Sequence, residues 1–241
     1  MSLAMPVHVA LVDASGTISA ADLAEVAGAF NQQVQADFAP AWQVAATVGV
    51  YPTAPPDMWK IELRQQLPVG GSARGYHTNA NNQPFALIDV DSGQWTVTAS
   101  HELLEMLCDP WGNRRHDARA LPGWQGTSPR VSYLVEVCDP CEGFSYEVGG
   151  VAVSDFLLPS FYRSTDRGTN RYSFLGKITS PLEVGEGGYI TFIDPADQHS
   201  WQRFVRDGQV HDNDWGVQQL GAEMLRERAD YLARRFRAGG T

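Results

Sequence analysis

The stretch that most limits what this chain can become is TVTASHELLEMLCDP, residues 96–110. Leu103, Leu104, Met106 and Leu107 give it the apolar face of a core helix. His101, Glu102 and Glu105 interrupt that face. Such groups are costly to bury unless they are hydrogen-bonded, paired or bound to a metal. Any fold that buries this helix must therefore find partners for one imidazole and two carboxylates. The segment 94–108 reads as a helix that stops at Asp109-Pro110, since the residue before proline avoids the α region. Thr96, Thr98 and Ser100 read as capping residues at its start. His101 and Glu105, four residues apart, then share a face and can grip one ion. Zinc accepts imidazole nitrogen and carboxylate oxygen alike. Glu102, next to the first ligand, stands where a general base would take a proton from water. The same spacing arises by chance in charged helices, and a buried hydrogen-bonded network is the plain alternative.

Around this helix the pattern alternates between strand and helix. VHVALVD (7–13) reads as a buried strand. A helix follows, with Leu23, Val26, Ala27, Phe30 and Val34 at helical spacing, Ser19 as its N-cap and Pro40 as its end. Strands are expected at 42–52, 58–68 and 85–90. VGGSARG (69–75) lacks the spacing of a phosphate-binding loop and reads as a turn. Tyr76 and His77 then read as part of a polar turn, with a cleft-lining role as the functional alternative. Beyond the helix, 111–129 reads as loop and 131–137 as a strand. A hairpin turns at Gly149-Gly150, a further strand covers 187–194, and a long amphipathic C-terminal helix covers 215–237. The order β-α-β-β-β-α, then a β-rich part and a final helix, implies an α+β or mixed α/β fold with one principal sheet. The expectation is a single domain over 1–241, with residues 6–110 carrying the sheet and the metal-site helix, and 111–241 the β-rich remainder.

A second acidic cluster lies in YLVEVCDPCEG, where Glu136, Asp139 and Glu142 fall within seven residues. Glu136 sits in an apolar strand. It is either a third metal ligand, a role open to Asp139 as well, or an edge-strand acid facing water. Cys138 and Cys141 form a C-x-x-C with no partner pair, so neither a zinc knuckle nor a redox site is favoured. Tyr146 and Tyr162 read as packing aromatics, and an oxyanion role is the alternative. His116, His199 and His211 read as surface residues, and His8 as a strand histidine.

Composition removes other classes. The formal net charge of −10 argues against a partner held through phosphate contacts, so no nucleic acid is expected. No apolar run approaches the length of a membrane span, and no membrane partner is expected. The N-terminus lacks the basic region of a secretory segment. Three cysteines, an odd and low count, do not form a disulfide framework. A cytoplasmic setting is expected, with a secreted or phage-associated one as the alternative.

SHELLEMLCDPW, preceded by the strand FALIDV and a GYH segment, resembles the zincin metallopeptidases, whose active helix follows a sheet strand and carries ligand, base and ligand in turn. More narrowly, S-H-E-x-x-E-x-x-x-D-P followed by E-[VI]-x-D-P resembles a group of bacterial and phage-associated proteins. Plant phosphate-induced extracellular proteins carry a similar S-H-E-x-x-E segment. The resemblance covers about residues 75–162, a little over a third of the chain. It implies a zincin-like domain with a central twisted mixed sheet. It also implies a metal on His101, Glu105 and Glu136, with Glu102 as base. Asp109, Asp139 and Glu142 are alternates or outer partners of those ligands. The sequence departs from the best-known zincins in having no second motif histidine. A carboxylate-rich site keeps zinc as the first expectation and calcium or manganese as alternatives. The implied function is peptide-bond hydrolysis on a peptide or protein substrate. The alternative is a zincin-fold metal-binding or structural protein without catalysis.

Overall fold

A computed structural model describes residues 6–68, 74–163 and 171–217. The chain is mixed α/β and divides into two compact units. Of the described residues, the first unit holds those up to Gly112 together with Glu147–Val153, and the second holds Asn113–Tyr146 and those from Ser154 onward.

The first unit is built on a five-stranded sheet. Its strands are β1 (Val7–Asp13), β2 (Ala46–Val50), β3 (Trp59–Arg64), β4 (Gly75–Ala80) and β5 (Gln83–Asp89), in the order β2-β1-β3-β5-β4. The first four in that order run parallel, and β4 closes the edge antiparallel to β5. β1 has four consecutive buried residues, Val9–Val12, the continuous apolar run of a strand covered on both faces. Helix α1 (Ala20–Gln32) starts at Ser19, whose hydroxyl accepts from the Asp22 amide, and buries Leu23, Val26, Ala27 and Phe30. It does not end at Pro40. The chain continues through a π-helical turn, Gln33–Phe38, into the short helix α2 (Ala39–Trp42). Pro40 falls in the first turn of α2, where its missing N–H costs no hydrogen bond. Gln43, at φ 57°, makes the stop instead.

Residues 75–80 are strand rather than polar turn. Asn81 and Asn82 both take positive φ and close a two-residue hairpin between Ala80 and Gln83. Tyr76, His77 and Thr78 are all buried. Tyr76 lies opposite Leu87 and packs in a cluster with Leu67 and Phe85. His77 points to the other face, as alternation along a strand requires.

β5 leads through a 3₁₀ turn, Val90–Ser92, into helix α3 (Trp95–Cys108). The cap residue is Gln94. Thr96, Thr98 and Ser100 lie inside the helix, where Ser100 Oγ donates to the Val97 carbonyl. Every residue from Ala99 to Cys108 is buried, so the C-terminal half of α3 has no solvent face.

The second unit is all β apart from short turns. Its sheet contains β6 (Arg115–Arg119) and β7 (Arg130–Leu134). A separate two-stranded hairpin, β8 (Ser145–Val148) and β9 (Val151–Ser154), turns at Gly149 and Gly150, both at positive φ, and its residues Glu147–Val153 belong to the first unit. The larger sheet is completed by β10 (Tyr189–Ile193), β11 (His199–Arg206) and β12 (Gln209–Val217), in the order β12-β11-β10-β7-β6. β6 replaces part of the loop expected over 111–129. β7 is an interior strand that ends before Glu136, and Glu136 is 4% exposed, so the edge-strand reading of that acid is corrected. Of the C-terminal helix expected over 215–237, residues 215–217 belong to β12 and the rest lie outside the described residues. No helix among the described residues is long and apolar enough to cross a membrane.

Candidate metal centre

Three of the polar side chains on α3 point to one region because of helical rotation. At about 100° per residue, Glu105 projects between His101 and Glu102. All three are buried, at 8%, 7% and 3% exposure. His101 Nε2 lies 3.3 Å from Glu105 Oε2. Two ligands on one tetrahedral zinc, each about 2.0–2.1 Å from the metal, stand about 3.3 Å apart. The spacing, burial and donor types of this pair are those of groups that could hold a metal ion.

A fourth group comes from the sheet. His77 of β4, 2% exposed, places Nδ1 3.1 Å from Glu102 Oε2 and 3.8 Å from Glu105 Oε2. Its Nε2 lies 3.3 Å from the backbone carbonyl of Asp109. Ligand atoms of His77, Glu102 and Glu105 all lie within 4.8 Å of one another. The close approach of β4 to α3 depends on Gly75, where a Cβ would lie 2.6 Å from Thr98 Cγ2.

Glu102 differs from Glu105 in how it is held. Its Oε2 meets His77, and its Oε1 makes no hydrogen bond among the described residues. Asp109 is wholly buried at the end of α3, with its amide donating to the Glu105 carbonyl at 2.6 Å. It contributes its backbone carbonyl to His77.

The downstream acids belong to the second unit. Glu136 and Asp139 are buried, at 4% and 2% exposure, and Glu142 is exposed. Asp139 opens the turn Asp139–Cys141, and its carbonyl and that of Pro140 press on Gly188, where a Cβ would meet them at 2.8 and 2.6 Å. Tyr146 packs on Phe174, and Tyr162 packs on Phe161 and His116. Cys108, Cys138 and Cys141 are buried and form no disulfide. His8 is exposed and bonds to Thr47, and His211 stacks on Phe204.

His77, expected in a polar turn with a cleft-lining role as the alternative, stands nearest to the acids, 3.1 Å from Glu102 Oε2. The signal for it was Asn81-Asn82, a pair suited to a tight hairpin, which makes the preceding GYHTNA a strand partner of FALID.

Comparison of the chain with models of known protein families, with curated proteins and with solved structures returns no significant match.

Proposed function

We propose that the protein is a metal-dependent hydrolase of peptide bonds built on a zincin-like first unit. His101 and Glu105 are its metal ligands on α3, and Glu102 is its general base. The observation that carries the reading is the buried His101–Glu105 pair, 3.3 Å apart, with the carboxylate of Glu102 on the same helix held by His77. The proposal rests on residues of the first unit alone. The resemblance of SHELLEMLCDP to the zincin helix supports it, as does the position of α3 directly after a sheet strand. Zinc is the favoured ion, and the carboxylate ligand admits manganese or calcium.

When bound, the ion supplies Lewis acidity, which polarises a carbonyl and makes water a better acid. His101 and Glu105 fix its place. Glu102 Oε1 takes a proton from the attacking water as the hydroxyl adds to the scissile carbon. The same carboxyl then returns that proton to the leaving amine as the C–N bond breaks. Burial of the helix keeps bulk water from competing with these contacts.

A second reading, a metal-binding protein without catalysis, draws support from the burial of His77, His101, Glu102 and Glu105 together. Casein hydrolysis and metal content measured on the same zinc-loaded samples separate the two. The hydrolase reading expects Glu102→Gln to keep its metal and to lose rate by roughly 10²–10⁴-fold, the usual contribution of a general base. An intact wild type that holds metal and cleaves nothing supports the second reading. A wild type that holds no metal after zinc loading removes both.

A further inference from the structure

The geometry points to a role for His77: we propose that its imidazole is a positioning residue that aims the base Glu102. This rests on the hydrolytic reading above. A glutamate side chain turns about three bonds, so an unrestrained Glu102 would lose that freedom each time it met its water. Holding the carboxylate beforehand moves the ordering cost out of the reaction step.

His77 is built to do this. It sits on β4 opposite Ala86, in a register fixed by the hairpin at Asn81-Asn82. The ring is held at both nitrogens. Nδ1 meets Glu102 Oε2 at 3.1 Å, and Nε2 meets the Asp109 carbonyl at 3.3 Å. Both contacts are on α3 or its cap, seven residues apart, so the ring spans two turns of the helix that carries the base. The Asp109 carbonyl is itself fixed, because Asp109 is wholly buried and its amide bonds to Glu105. A ring protonated at both nitrogens serves both contacts. Both partners are acceptors, so a neutral ring donates to only one of them, and the proposed role places that hydrogen on Nδ1, facing Glu102. With Nδ1–H donating to Oε2, Oε1 is the oxygen that takes the proton from water in the proposed reaction. His77 transfers no proton in the reaction. Gly75 completes the arrangement by letting the start of β4 approach Thr98 closely enough for the ring to reach.

Two isosteric replacements test this. Asn places an N–H donor where Nδ1 stands, and Gln places one where Nε2 stands. The zinc-loaded full chain is assayed on a quenched fluorescent peptide cut from casein, with metal content measured on the same samples. His77→Ala is expected to lower kcat about 10–100-fold, the usual effect of removing an outer partner. KM and the bound metal should stay as in the wild type. His77→Asn is expected to recover most of kcat, and His77→Gln none. Equal behaviour of the Asn and Gln variants overturns the inference in favour of simple packing. Loss of metal in His77→Asn overturns it in favour of a ligand role, and this comparison holds even if the Ala variant fails to fold. The hydrolytic reading fails differently: the wild type binds no metal, or Glu102→Gln keeps the full rate. Either result removes the inference with it.

Discussion

Two histidine–carboxylate contacts in this molecule have nearly the same length and opposite surroundings. In the first unit, His77 Nδ1 stands 3.1 Å from Glu102 Oε2, with side chains 2% and 9% exposed. In the second unit, His199 Nδ1 stands 2.9 Å from Asp214 Oδ2, with side chains 34% and 41% exposed. The shorter contact is the weaker structural device. At the surface, water and salt compete for both groups, and exposed pairs contribute little. In the core nothing replaces a lost partner, so the group left behind carries its full desolvation cost. Length alone does not rank such contacts; what surrounds them does.

The buried contacts depend most on Glu105. It is 3% exposed and lies within 3.8 Å of both His77 and His101. Removing one member of a buried charged group strands the others, so Glu105→Ala is expected to cost about 3–5 kcal/mol in urea denaturation. A loss no larger than that of an ordinary surface substitution would contradict the coupling drawn here. Next in size is Gly75→Val. The added side chain pushes β4 away from Thr98 and lengthens the His77 contact, and overpacking of this kind costs about 1–3 kcal/mol. Its expected companion effect is a fall in rate resembling that of His77→Ala, with metal retained.

The surface pair sharpens the contrast through pH. The hydrogen bond that His199 Nδ1–H donates to Asp214 holds the imidazole above its ordinary pKa, and the nearby charge of Asp197 adds to this. A raised folded-state value means that the pair stabilises the fold below the unfolded imidazole's pKa. That contribution fades as pH rises through the raised folded value. An NMR titration is expected to show the His199 midpoint above the usual range of about 6.5 in the wild type and falling back towards it in Asp214→Asn. Thermal unfolding of the two proteins should differ slightly in mild acid and coincide in alkali. A difference that grows with pH would reverse the sign of the effect.

What the sequence disclosed follows the same division between local and distant. α3 was legible because one period places Leu103, Leu104 and Leu107 on a face and because Pro110 bars its continuation. His101, Glu102 and Glu105 come together by helical rotation alone, so their proximity needs no tertiary knowledge. β1 was legible as an unbroken apolar run, and the hairpin at Gly149-Gly150 from its turn residues. His77 was not, because its position depends on a pairing between β4 and β5 and on the packing of α3 over one face of β4. GYHTNA lacks apolar alternation, since buried His77 and Thr78 are polar. Pro40 misled for a related reason: a proline that would break a helix interior is harmless in the first turn of a new one. Glu136 was open to two readings, a third metal ligand or a solvent-facing edge acid, and the second falls because β7 stops at Leu134 and lies inside its sheet.

The proposed metal site of α3 is a divalent ion held by His101 and Glu105. Its most direct test is the metal content of the full chain after zinc loading and exhaustive dialysis, measured by elemental analysis beside His101→Ala and Glu105→Gln. One zinc ion per wild-type chain is expected, with near-complete loss in both variants and folding checked by circular dichroism. A wild type without metal, or variants that retain it in full, would contradict the account.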